Sequence, residues 1–233
     1  MEKLNKDELF SLALHLDLSD LLSFCSSNKY IEKNLGLRDD IWIYKLRKDF
    51  PDYKNLKVEK SFRESYKMLH LLSQIKSKLK RKENIYELYE LNELYLSNNK
   101  LAKIPKGLFS LTNLQELDLS YNLLTEISKE IGALVNLKKL ILSSNKLIKI
   151  SKDLFNLINL KELYLANNLL TEIPKEIETL SNLKELSLSN NLLTEIPKEI
   201  GALVNLQVLY LYNNSLTEIL KEITENKKIK IYK

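Results

Sequence analysis

Two histidines, one cysteine and a spread of carboxylates are the groups in this chain that could do chemistry. His15 and His70 sit in stretches with apolar neighbours. Neither has a carboxylate at the spacing of a metal site or of a proton-relay triad. Cys25 has no histidine near it in sequence to draw off its proton, so it reads as a small buried hydrophobe. Only four glycines occur (Gly36, Gly107, Gly132 and Gly201), and no phosphate-cradling loop is built from them. The residues point to no catalytic group, no metal and no cofactor, and the chain is read as a non-enzymatic binding protein. The chemistry that does recur at a fixed interval is that of side-chain amides: Asn99, Asn122, Asn145, Asn168, Asn191 and Asn214 lie 23 residues apart.

Those asparagines belong to a repeat. From Leu91 onward the pattern L-x-x-L-x-L-x-x-N-x-L returns six times, opening at Leu91, Leu114, Leu137, Leu160, Leu183 and Leu206, and no position of the template fails. The L-x-L pair suits a short strand, whose alternate side chains point to opposite faces. One unit cannot bury its leucines alone, so stacked units must share a continuous core. Each asparagine then falls where the chain turns inward, and its amide is expected to bond backbone groups of its own and the next unit. This ladder is read as structural. The second half of each unit, as in Ile173-Pro174-Lys175-Glu176-Ile177, carries proline at Pro105, Pro174 and Pro197 and serine at Ser128 and Ser151. It reads as an arc that returns the chain over the convex side. Beyond Ile223 the repeat is cut short, and Ile229-Lys230-Ile231 reads as a closing strand.

The strand pattern predicts which side chains face the concave side. A first outward column holds Glu93, Glu116, Lys139, Glu162, Glu185 and Val208. A second holds Tyr95, Asp118, Ile141, Tyr164, Ser187 and Tyr210, and a third runs Ser97, Ser120, Ser143, Ala166, Ser189 and Tyr212. Tyrosine offers a broad apolar face with a hydroxyl at its tip, which suits an interface. Glu93, Tyr95, Glu116, Asp118, Glu162, Tyr164, Glu185, Tyr210 and Tyr212 are therefore the expected partner-binding residues, for a partner of basic or amphipathic character.

The chain of 233 residues carries a net charge of +5, with acids and bases balanced in both the repeat and the region before it. The dense basic run Lys76, Lys78, Lys80, Arg81 and Lys82 reads as solvated helix or linker, and no nucleic-acid partner is expected. No apolar stretch is long enough to cross a membrane, and the charged start Met1-Glu2-Lys3 has no signal-peptide character. One cysteine excludes an internal disulfide, so an intracellular compartment, cytoplasmic with the nucleus as an option, is expected.

Residues 1–82 lack the repeat and read as helical. Asn5 followed by Glu8 is a capping-box-like start, with Leu9, Leu12 and Leu16 at helical spacing. Asp17-Leu18-Ser19-Asp20 starts a second helix, Asn28 a third through Tyr30, Ile31 and Leu35, and Asp39-Asp40 a fourth that Pro51 ends. The stripe Phe62, Tyr66, Leu69, Leu72, Ile75 and Leu79 predicts a fifth, placed to cap the first repeat.

The string Leu4, Asp7-Glu8-Leu9, Leu16-Asp17-Leu18-Ser19-Asp20-Leu21-Leu22, Asn28-Lys29, Ile41-Trp42 and Leu46 resembles an F-box over about residues 4–48, with Asn5 where that family usually has proline. With its Lys-, Asn- and Ile-rich composition the chain resembles the F-box proteins of large DNA viruses. The resemblance implies a substrate receptor of a cullin-RING ubiquitin ligase. Leu4, Leu9, Leu12, Leu16, Leu21 and Leu22 would face a Skp-type adaptor, and the repeats would hold an unknown target. The alternative is a stand-alone or effector-like repeat scaffold whose helical region serves only as a cap. The expected organisation is an α/β leucine-rich-repeat solenoid behind a small all-α domain: 1–50 F-box-like, 51–90 helical linker and cap, 91–233 repeats, monomeric outside a complex.

Overall fold

The computed structural model describes residues 6–27, 39–55, 61–78, 84–218, 223 and 229–233. The chain divides into two compact units, Met1–Leu88 and Tyr89–Lys233.

In the first unit the helices start where polar side chains meet orphan amides. Helix α1 spans Lys6–His15 and α2 spans Leu18–Ser26. Asp17 caps α2, its carboxylate accepting from the Asp20 N–H at 2.8 Å. Helix α3, Asp39–Asp49, opens on Asp39 and Asp40 and carries Arg47 and Lys48 in its last turn ahead of Asp49, a charge order that a helix dipole favours in all but the final residue. Helix α4, Phe62–Lys78, begins at a reciprocal capping box: the Glu64 N–H donates to Ser61 Oγ, and the Ser61 N–H donates to Glu64 Oε2, both at 3.3 Å. Asn84 and Glu87 repeat the device at 2.9 Å each way at the head of the short helix α5, Ile85–Tyr89. Both boxes are written in the sequence as S-x-x-E and N-x-x-E, signals additional to the apolar stripe. The expected cap residue Asn5 and the expected third helix lie outside the described residues.

The helical core gathers Leu9, Ala13, Leu21, Cys25, Ile41, Trp42, Leu46, Phe50, Tyr66, Met68, Leu69 and Leu72, all buried. Of the α4 stripe, Tyr66, Leu69 and Leu72 are buried and Phe62 is half-buried, while the side chains of Ile75 and Leu79 lie outside the described residues. Tyr66 is the hub. Its ring lies 5.9 Å from that of Trp42 and 5.7 Å from that of Phe50, and its hydroxyl donates to Asp49 at 2.5 Å. Burial, then Asp49, push the Tyr66 phenol well above its ordinary range. Lys45 is buried too, its ammonium donating to the Leu16 carbonyl at 2.6 Å, and the desolvation lowers its pKa.

In the second unit a seven-stranded parallel sheet runs in chain order. Its strands are β1 Glu93–Tyr95, β2 Glu116–Asp118, β3 Lys139–Ile141, β4 Glu162–Tyr164, β5 Glu185–Ser187, β6 Val208–Tyr210 and β7 Lys230–Tyr232. The first six pair in the register of the repeat, Leu94 on Leu117 on Leu140 on Leu163 on Leu186 on Leu209. The closing strand is present one residue later than expected, with Ile231 opposite Leu209. Inward leucines stack into a core in which Leu94, Leu117, Leu140, Leu163, Leu186 and Leu209 have no exposed surface. Each contributes about 1.5–3 kcal/mol.

Each returning arc holds a one-turn 3₁₀ helix: Lys106–Ser110, Lys129–Ala133, Lys152–Asn156, Lys175–Thr179 and Lys198–Ala202. Pro105, Pro174 and Pro197 precede three of these at φ near −60° and extended ψ, a geometry that the proline ring supplies by itself. Ser128 and Ser151 hold the same backbone at the other two, Ser151 by accepting from the Asp153 N–H. After each of β1 to β6 a residue turns left-handed: Asn98, Tyr121, Ser144, Asn167, Asn190 and Asn213, all with φ between 53° and 57°, with Lys100 a second after β1. Asparagine tolerates that region, and it occupies four of the six positions.

The asparagine ladder carries the turns, but it reaches backward. Asn145 Oδ1 accepts from the Leu124 N–H at 3.1 Å, while its Nδ2 donates to Leu119 O at 2.9 Å and Leu142 O at 3.0 Å. Asn122, Asn168, Asn191 and Asn214 make the same set in their own repeats. The partners are therefore in the same and the preceding unit, not the next as the sequence reading had it. The chain has already passed, and its unpaired groups wait at the inner turn. Asn99, the first rung, has no earlier repeat to reach; it is exposed and donates to Ser97 O at 3.1 Å. A second ladder escapes the leucine template. Asn136, Asn159, Asn182 and Asn205 donate to Thr112 O, Val135 O, Ile158 O and Ser181 O at 2.7–2.9 Å. Its sequence signal is the invariant asparagine directly before each opening leucine from Leu114 on.

Candidate functional site

The strands are too short to do more than present alternate side chains, and that is what positions the candidate face. In β1 to β4 the middle residue is buried and its two neighbours look out. Of the nine expected partner-binding residues, Glu93, Tyr95 and Tyr212 are exposed, and Glu116, Asp118, Glu162, Tyr164, Glu185 and Tyr210 are half-buried. All nine share one face. The third column differs from expectation: Ser120 and Ser189 are buried, as is Ser187 in the second, where it lies between the larger Tyr164 and Tyr210 of the adjacent strands.

Register sets the electrostatics. Glu93 lies opposite Glu116, and Glu162 opposite Glu185. Like charges facing each other across strands repel. Lys139 on β3 relieves part of this, its ammonium 3.4 Å from Glu116 and 3.6 Å from Glu162. Both carboxylates raise its pKa against the opposing effect of burial. The tyrosines tie down acids of their own strands: Tyr95 donates to Glu93 at 2.8 Å and Tyr164 to Glu162 at 3.1 Å. The hydrogen bond to Glu93 pushes the Tyr95 phenol up to about 12. Burial, then Glu162 and Glu185, push Tyr164 higher still. Tyr210 on β6 and Tyr232 on β7 stack at 4.8 Å with planes 13° apart, so the closing strand extends the face by one more ring. The arrangement is one of graded recognition: negative at the first column, aromatic at the second, with a single lysine bridging in the middle.

Elsewhere the histidines and the cysteine make local contacts. His15 bonds the Ser11 carbonyl on α1, and His70 stacks on Tyr66. Cys25 is buried. Among the described residues no group of three His, Cys, Asp or Glu is placed to hold a metal, and no helix is long and apolar enough to cross a membrane. Of the leucines that the F-box resemblance assigns to an adaptor, Leu9 and Leu21 are in the core of the helical unit, Leu16 and Leu22 are half-buried, Leu12 is 47% exposed, and Leu4 lies outside the described residues.

Comparison with known proteins agrees with the geometry. The family model described as leucine rich repeat matches residues 90–147, 135–193 and 158–216. Among solved structures, a leucine-rich-repeat protein of Leptospira interrogans is 40% identical with a TM-score of 0.54, covering 65% of this chain and 44% of its own. The ectodomain of the Arabidopsis thaliana membrane receptor kinase GASSHO1/SCHENGEN3, solved in complex with Casparian Strip Integrity Factor 2, is 33% identical with a TM-score of 0.54, covering 62% of this chain and 21% of its own. This chain thus spans less than half the length of either. No curated protein gives a significant match. Seven parallel strands in register, an asparagine ladder and a family match over more than half of the residues make the chain a member of the leucine-rich-repeat family, whose fold is a typical protein-interaction scaffold.

Proposed function

We infer that this chain is a receptor with two protein-binding ends, the substrate-recognition subunit of a cullin-RING ubiquitin ligase. In this reading the helical unit docks a Skp-type adaptor and the outward face of the sheet holds the target. The observation that carries the target-binding half is the outward face itself, where four tyrosines and five carboxylates share one surface across consecutive strands. The complexed state of the Arabidopsis ectodomain supports the same use of a stacked-repeat unit. For the adaptor half, support comes from the F-box-like string and from Leu12, a large apolar side chain left exposed on α1. In this role the protein works as a single copy inside a eukaryotic cell, as an F-box protein of a large DNA virus would in its host.

The burial of Leu9 and Leu21 favours a second reading, in which those leucines serve only the core and the helices are a structural module of a stand-alone scaffold. Capture of a purified Skp-type adaptor by the full chain separates the two. The receptor reading expects capture that Leu12→Asp abolishes while circular dichroism stays native. A folded full chain that captures no adaptor leaves the scaffold reading.

A further inference from the structure

Tyr164 and Tyr210 stand on either side of a gap. They occupy the second outward column on β4 and β6, and between them on β5 is Ser187, small and only 8% exposed. Each ring is occupied on its outer side: Lys139 reaches over Tyr164 with its ammonium 5.9 Å from the ring centre, and Tyr232 stacks on Tyr210. Near-parallel stacking at the strand spacing turns the other face of Tyr210 toward β5. Two strand spacings, roughly 9–10 Å, separate β4 from β6. A cation midway between rings at that spacing is about 5 Å from each, inside the ~6 Å reach of a cation–π contact.

Charge completes the slot. Glu185 stands two residues before Ser187 on the same strand face; it shares the Tyr164 hydroxyl with Glu162, and among the described residues no lysine or arginine forms an ion pair with it. Glu162 is its neighbour in register. The hydroxyls of Tyr164 and Tyr210 are both held above their ordinary range by burial, and next by the Glu162 and Glu185 charges for Tyr164 and the Glu185 charge for Tyr210, so the field over the gap is negative. Although the whole chain is basic, its outward face carries Glu93, Glu116, Asp118, Glu162 and Glu185 against Lys139 and Lys230.

We propose that the gap over Ser187 between Tyr164 and Tyr210 is a recognition slot for an arginine side chain of an extended basic segment of the partner, with Glu185 receiving the guanidinium. A planar guanidinium stacks on both rings and presents N–H groups to Glu185, which a compact ammonium does less well. The inference rests on the reading that the outward sheet face holds a protein target.

The test is a titration of the full-length protein, with tyrosine ring positions isotopically labelled, using an amidated Gly-Ser-Arg-Ser-Gly peptide and its citrulline counterpart, which keeps the shape and removes the charge. The arginine peptide is expected to move the Tyr164 and Tyr210 ring resonances and to leave that of Tyr121, in a turn, in place. Glu185→Gln and Tyr210→Leu are each expected to weaken it about three- to tenfold. Equal shifts with citrulline, no shift at either ring, or undiminished binding by Glu185→Gln would overturn the slot. Adaptor capture by the same variants does not depend on the slot, so failure here leaves the receptor reading standing, and failure of capture leaves the slot measurable.

Discussion

The side-chain amide of Asn168 donates to the carbonyl of Leu142, 26 residues earlier, at 3.1 Å. Through the same side chain it donates to Leu165 O and accepts from the Leu147 N–H, both at 3.0 Å. One side chain therefore satisfies buried backbone of two repeats. Asn168→Ala leaves the buried Leu147 N–H unpaired, while Leu142 O and Leu165 O each lose one of two amide donors and keep the other, from Asn145 and Asn191. The expected loss is about 1–3 kcal/mol in urea unfolding. Asn99→Ala, at the exposed first rung, is expected to lose less than about 1 kcal/mol. Equal losses would show that the ladder is not what fixes the turns.

Gly132 is needed for what lies across from it. A Cβ there would sit 2.7 Å from the Asp153 carbonyl oxygen and 3.1 Å from Asn156 Nδ2. The obstacle is the backbone of the next arc, which cannot swing aside as a side chain can. Gly132→Ala is expected to destabilise the repeat unit by about 1–3 kcal/mol, read as a lower urea midpoint at unchanged slope.

Tyr121 holds φ at 53° in the turn where four other repeats have asparagine, and it is 67% exposed. Its ring gains little there from burial, while its backbone is strained. Tyr121→Asn is expected to raise stability by about 0.5–1 kcal/mol. A fall in melting temperature would mean that the exposed ring makes a contribution exceeding the strain.

Tyr66 gives the helical unit a pH dependence with a definite sign. Its phenol is raised in the folded state by burial and by Asp49, so the native chain holds that proton more tightly than the unfolded chain. The resulting stability is complete below the ordinary tyrosine pKa near 10 and is lost as pH climbs toward the folded value. Trp42, the single tryptophan, lies beside Tyr66 and reports on this unit by fluorescence. Between pH 8 and 11 the wild type is expected to lose more stability by that signal than Tyr66→Phe, and parallel curves would refute the assignment.

Much of the repeat unit was legible because its determinants are local and periodic. Leu94 and Leu117 recur at one interval, and a period of two residues within a strand decides what faces in. The same logic places Glu93, Tyr95, Tyr164 and Tyr210 on one face. The helix starts at Asp17 and Asp39 were legible for a similar reason, since a capping side chain acts within one turn.

What tertiary structure alone decided is the set of relations between residues that are far apart in sequence. The direction in which Asn145 reaches depends on which repeat has unpaired groups at the inner turn, and only the stack settles that. Leu9 and Leu21 carry the same side chain as Leu12, yet packing buries the first two and exposes the third. The burial of Ser187, the stacking of Tyr232 on Tyr210 and the reach of Lys139 over Tyr164 arise from neighbours on adjacent strands. A one-dimensional pattern specifies which face a side chain takes. How deep it lies, and what stands beside it, is set by the volume and charge of groups brought within a strand spacing by the fold.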